Sequence, residues 1–161
     1  MARPIEFDRE QALTQALGLF WRRGYQGAAL PDLLKGMGIS RSSLYAAFGD
    51  KRALFVECLD LYARRSLSLL AEARRGLPPL DALRTFFDRT LFHPGCLLVN
   101  TTLEMADLDD GLRAHASARM AEIESAFADT LRAAGCTEGQ AVEFAGFLMV
   151  FNQGLRVSSR R

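Results

Sequence analysis

Apolar residues recur at intervals of three and four along almost the whole chain, and no stretch alternates as a half-buried strand would. Phe7, Leu13, Ala16, Leu17, Phe20 and Trp21 make one stripe, predicting a helix from about Asp8 to Arg23 that Gly24 closes. A short helix is predicted from Pro31 to about Met37, with the proline in a first turn that needs no N–H from it. Gly38 ends that helix, and Ser40 is placed to cap the next, Arg41 to Phe48. Asp50 can cap a longer helix that begins at Lys51 and turns Leu54, Phe55, Cys58, Leu61 and Tyr62 inward. Gly76-Leu-Pro-Pro79 is the clearest break. Periodic segments follow at about 80–92, 97–106, 110–134 and 138–156, separated by Pro94-Gly95, Asp107 to Asp110 and Gly135 to Gly139. The expected fold is all-α: a small N-terminal three-helix unit joined by a connecting helix to a larger helical body.

Composition narrows the class. Hydrophobic residues make up 49% of the 161, enough for a packed core and too many for a disordered chain. No apolar run approaches the ~18 residues of a membrane span. The first residues carry Glu6 and Asp8 and no apolar core of a signal peptide, so the expected compartment is the cytoplasm and no membrane partner is expected. Cys58, Cys96 and Cys136 are odd in number and far apart, which reads as free thiols. Net charge is +1, but unevenly spread. Residues 1–52 hold eight basic and five acidic side chains (+3), and the remainder twelve and fourteen (−2). A basic head on a near-neutral body suits local contact with phosphate.

The informative stretch is 30–51, where two short helices meet at Gly38-Ile39-Ser40. That is the spacing of a helix-turn-helix, and glycine suits its turn because it reaches positive φ without a Cβ clash. Ile39 is expected to fill the angle between the helices, with Leu33, Leu34, Leu44 and Phe48 beside it. The second helix starts with small polar residues, so its leading end can enter a major groove.

Phe20-Trp-Arg-Arg-Gly-Tyr, then Met37-Gly-Ile-Ser-Arg-Ser-Ser-Leu-Tyr-Ala-Ala-Phe-Gly-Asp-Lys-Arg-Ala-Leu-Phe, resembles the DNA-binding domain of the TetR family of one-component repressors. The Leu-Tyr-x-x-Phe-x-x-Lys-x-x-Leu core from Leu44 to Leu54 is the most specific part. The resemblance implies a DNA-binding domain over about 6–66, with its motif at about 29–48. A helical effector-binding and dimerisation domain would follow over 67–161. It also implies that Arg41, Ser42 and Ser43 face bases or adjacent phosphates, that Tyr45 directs its hydroxyl to a phosphate, and that Lys51 holds another. Read as structure alone, Arg41 is a solvated charge and Tyr45 a core aromatic with an exposed hydroxyl; Leu44 and Phe48 are core on either reading. The implied partners are double-stranded operator DNA, a second copy in a homodimer, and an unknown small-molecule effector or electrophile. The implied action is repression, by a dimer that sets two recognition helices in successive major grooves of a palindromic site.

Two departures stand out. The family often has Thr or Ser ahead of the first motif helix, as cap and phosphate donor; here the sequence is Ala28-Ala29. Family members also usually continue into a further helix that helps build a four-helix dimer interface, whereas this chain stops at Arg161 and reads as a truncated form or a minimal variant.

The body is rich in Phe86, Phe87, Leu91, Phe92, Phe127, Phe144, Phe147, Met149 and Phe151; most are expected in core and dimer contacts, the rest lining an effector pocket. Pro94-Gly-Cys-Leu-Leu-Val-Asn100 is similar to a segment of a TetR subgroup that senses electrophiles and oxidants. Cys96 would sit in the first turn of a helix, where the dipole favours thiolate, or else would simply fill space among leucines. Asn100, one turn on, would orient a ligand or cap a buried carbonyl.

Against these stand two other classes. No glycine-rich phosphate loop, zinc-protease pair or nucleophile elbow is present, so no enzyme and no cofactor are expected. His93 and Cys96 could supply two metal ligands, but no others are evident and no metal is expected. An all-α carrier or interaction protein that no longer binds DNA is the remaining alternative.

Overall fold

The computed structural model describes residues 7–90 and 95–158, and every element among them is helical. The chain divides into two compact units, Met1–Tyr62 and Ala63–Arg161.

In the first unit, α1 (Arg9–Gly27) begins where the Asp8 carboxylate accepts the Glu10 and Gln11 amides, both at 3.0 Å. Its buried stripe is Ala12, Leu13, Ala16, Leu17 and Phe20, while Trp21 is half-buried and meets Tyr62 edge-on at 5.1 Å. The regular helix breaks at Gly24, where the sequence places its stop. That residue leaves helical geometry (φ 73°, ψ 179°), and a further turn then runs to Gly27. Phe20 packs edge-to-face on Phe55 at 4.7 Å, an arrangement that favours aromatic pairs beyond the area they bury.

Short helices need their ends satisfied, because few internal bonds hold them. α2 (Leu30–Met37) ends in a left-handed Gly38 at φ 68°, whose N–H bonds the Lys35 carbonyl at 3.3 Å while the Ile39 N–H reaches Leu34 at 3.2 Å. That paired closure is the usual glycine stop. At its other end Ala29 has the extended backbone of a cap and no side-chain bond. Gly36 allows α2 to press on α1: a Cβ there would lie 2.5 Å from Leu19 Cδ1. α3 (Arg41–Phe48) starts under Ser40, and α4 (Lys51–Gly76) under Asp50, whose carboxylate accepts the Ala53 amide at 2.7 Å. Leu33, Met37, Leu44 and Phe48 are the buried residues of α2 and α3. Ile39 and Leu34, expected to fill the angle, are only half-buried; the core is filled from within the helices rather than from the turn.

In the second unit, α5 (Pro79–Thr90), α6 (Leu97–Glu104), α7 (Asp110–Ala133) and α8 (Glu138–Ser158) follow the last part of α4. Phe86 and Phe127 cross edge-to-face at 5.1 Å in the core. Buried Thr90, Thr101 and Thr130 each donate a hydroxyl to the carbonyl four residues back, at 2.8, 2.8 and 2.7 Å, so no polar oxygen among them is stranded. α7 closes on Gly135 (φ 96°), with the Cys136 N–H on the Leu131 carbonyl at 3.1 Å. The body aromatics do not all go inside. Phe86, Phe127 and Met149 are buried, but Phe144, Phe147 and Phe151 are 45%, 68% and 49% exposed on α8. Leu91, Phe92 and His93 lie outside the described residues.

Candidate nucleic-acid interface

α3 has eight residues, so only its repeat decides which side chains leave the core. Leu44 and Phe48, four apart, are buried at 0% and 4%. Arg41 and Tyr45, also four apart, are exposed on another face with Ser42 and Ala46, and Tyr45 is open by 49%. Ala46, which has no polar group for sequence reasoning to single out, is exposed on the same face.

The leading end of α3 carries three hydroxyls in one cluster. Ser40 Oγ accepts the Ser43 amide at 3.1 Å, and it lies 2.9 Å from Ser42 Oγ and 2.8 Å from Ser43 Oγ. Ser42 is exposed and Ser43 half-buried. The cap therefore orders both serines that precede the buried Leu44, beside an exposed Arg41 side chain.

Lys51, the first residue of α4, is half-buried, with Nζ 4.5 Å from the centre of the Tyr25 ring. An aromatic face under an ammonium steers the side chain without replacing its donors. Arg41, Ser42, Ser43, Tyr45 and Lys51 all belong to the first unit, within one short stretch of two helices. In the same unit Arg23 is ion-paired with Asp32, tying α1 to α2.

The thiol candidate is placed differently from expectation. Cys96 is the residue before α6, not in its first turn, with φ −99° and ψ 120°, and its side chain makes no capping bond. It is 8% exposed, followed by Leu97 and Leu98 at 1% and 0%. Asn100 is half-buried and its N–H bonds the Cys96 carbonyl at 3.0 Å, as the first turn of any helix does. His93, the other half of the suggested metal pair, lies outside the described residues. Elsewhere in this unit an apolar hollow of about 350 Å³ opens among Leu80, Leu83, Phe87, Leu131, Phe144 and Phe147.

Two family models match the chain. The one described as bacterial regulatory proteins, tetR family, covers residues 12–58, and the one described as the C-terminal domain of LmrA/YxaF-like transcriptional regulators covers 79–161. The HTH-type transcriptional regulator YezE of Bacillus subtilis (strain 168) is 30% identical over 135 residues, 79% of this chain and 70% of that protein. The HTH-type transcriptional repressor ComR of Escherichia coli (strain K12) is 35% identical over 112 residues, 63% of this chain but only 53% of its own length. Among solved structures, a cysteine mutant of the TetR family regulator CifR in complex with 26 bp double-strand operator DNA superposes with a TM-score of 0.81 at 30% identity. That match covers 98% of this chain and 90% of CifR.

Proposed function

The chain belongs to the TetR family of bacterial regulatory proteins, and from that premise we propose that it is a repressor that binds a palindromic operator as a homodimer through the leading end of α3. The family assignment makes it a transcription regulator rather than an enzyme. One observation carries the operator reading: Arg41, Ser42 and Tyr45 stand outside the core on a helix whose other face, Leu44 and Phe48, is buried. Arg41 is the base reader, since its planar fork matches the two acceptors of guanine, a pairing worth about 1–3 kcal/mol of discrimination. Ser42 and Ser43 reach adjacent edges or phosphates. Tyr45 and Lys51 hold phosphates on either side and set the register. The operator complex formed by CifR, a protein 30% identical to this one, supports the same use of the first unit.

In the second unit, a small apolar effector, or modification of Cys96, releases the operator by favouring the state whose heads no longer match it. Either can move that balance only by its difference in affinity for the two states. The hollow lined by Leu83, Phe87 and Phe147 supports an apolar effector. The depth of Cys96 supports the thiol route less well, because a reagent must first open the start of α6.

The test is a salt titration of binding to the DNA flanking the protein's own gene, for wild type and for Arg41→Ala/Tyr45→Phe. Wild type should bind selectively, with affinity falling steeply as salt rises, and the double variant should lose at least about tenfold, the scale of one lost bidentate contact. Unchanged operator affinity in that variant would remove α3 from the interface. No selective binding by wild type would leave the carrier or interaction-protein alternative.

A further inference from the structure

The exposed face of α3 is useful only if the helix keeps one orientation, and its two ends are held by different means. The leading end is held by Ser40. The trailing end has no paired glycine closure of the kind that ends α2: Gly49 follows at φ 87°, ψ −81°, and its N–H returns only to the Tyr45 carbonyl at 3.1 Å. The carbonyl of Ala47, in the last turn, is taken instead by a side chain 38 residues away in the sequence. Arg9 donates to it through Nε at 3.4 Å and Nη2 at 3.1 Å.

The same guanidinium does two other things. Its Nη2 donates to both carboxylate oxygens of Glu57 on α4, at 2.7 and 2.9 Å. Its Cζ lies over the Phe48 ring, 4.4 Å from the centroid. One side chain at the start of α1 therefore joins the last turn of α3 to α4 and covers the aromatic that anchors α3 in the core. Only an arginine offers a flat fork that donates in two directions while stacking on a ring. A cation beside a helix's last carbonyls also opposes its dipole favourably.

We infer that Arg9 is the positioning residue of the recognition helix: it clamps the trailing end of α3 to α1 and α4, and so sets the angle at which Arg41 and Tyr45 are presented. It does so by positioning rather than by a phosphate contact of its own, because its Nε and Nη2 are given to Ala47 and Glu57 and its charge is matched by Glu57. The consequence for operator binding rests on the function proposed above; the clamp does not.

Two measurements on the full chain separate them. Hydrogen exchange in the free protein should show Arg9→Ala speeding the amides of Ala46 to Phe48 by at least about tenfold, while those of Leu54 to Tyr62 keep their protection. Unchanged exchange in the last turn of α3 would overturn the clamp. Operator affinity of Arg9→Ala should then fall about tenfold with no change in the slope of log affinity against log salt. A direct phosphate contact would lower that slope by about 0.9 and overturn the inference. Arg9→Lys, which keeps the charge and loses the fork, should behave like Arg9→Ala; full recovery by lysine would show that charge alone matters. Glu57→Gln keeps an acceptor and the local shape, and should give a smaller loss in both measurements. Wild type that binds no operator would overturn the DNA reading, while the exchange data would still decide the clamp.

Discussion

Ser40 Oγ accepts the Ser43 amide at 3.1 Å and lies 2.8 Å from the Ser43 hydroxyl, so one residue outside α3 fixes both the backbone and a side chain at its leading end. Ser40→Ala removes that cap and should cost about 1 kcal/mol of stability, read as a lower urea midpoint at unchanged m-value. Ser40→Asp separates folding from DNA binding. Aspartate caps as well as serine and its charge suits a helix N-terminus, so stability should hold. The same charge faces phosphate, so operator affinity should still drop. An aspartate variant that binds like wild type would mean the start of α3 lies away from the nucleic acid.

Ala29 has the backbone of a helix cap, φ −67° and ψ 145°, with no side chain able to act as one. Ala29→Ser should therefore add about 1 kcal/mol, because the conformation it needs is already present. It also places a hydroxyl at the start of α2, and operator binding should tighten as well. A midpoint that does not rise would show that water or another group already satisfies the amides at the start of α2.

The three thiols differ in depth. Cys58 is fully buried, its S–H directed at the Leu13 carbonyl at 3.9 Å, and burial together with the neighbouring Glu57 pushes its pKa up. Cys96 is 8% exposed and Cys136 half-buried. Reaction with a disulfide reagent should thus modify Cys136 first, Cys96 slowly and Cys58 only on unfolding. The fraction of operator released by N-ethylmaleimide or hypochlorite should follow Cys96 if that residue is the switch. A Cys96→Ser protein that responds as wild type does would end the thiol route.

How legible these features were depends on their range along the chain. The ends of α2, α3 and α4 follow from Gly38, Ser40 and Asp50, because caps act within three residues and their chemistry is local. Gly24 breaks the helix where its sequence predicts, but the short turn that resumes as far as Gly27 carries no apolar stripe to announce it. The Arg9 clamp leaves no local mark, because Arg9 and Glu57 are 48 positions apart and no periodicity or cap links them. Cys96 was set one position too deep in its helix, and burial of so small a residue leaves no periodic mark. The aromatic content of α8 was plain, but a 3.6-residue repeat looks the same whether a face meets the core or another molecule.

That last ambiguity has a test, because the two faces of α8 carry different residues. Ala141, Ala145, Met149 and Asn152 face the unit's own core. Phe144, Phe147, Val150 and Phe151 do not, and Phe147 and Phe151 lie nearly parallel with centroids 6.4 Å apart. Full burial of each is worth about 1.5–3 kcal/mol, and a good part of that is forgone at four positions on one helix face, more than a monomer has reason to give up. A second copy covering that face would recover it. Phe147 is 68% exposed, so Phe147→Asp should hardly change the stability of a lone subunit, yet a carboxylate buried against its twofold mate is costly on both sides. Sedimentation should then show dimer for wild type and monomer for the variant. Operator affinity should fall because two half-sites are no longer held by linked heads. Phe127→Ala provides the contrast. Fully buried, it should lose about 3–5 kcal/mol of stability through the cavity it leaves, without shifting assembly among the molecules that stay folded. A Phe147→Asp protein that remains dimeric at micromolar concentration would place the twofold on some other face.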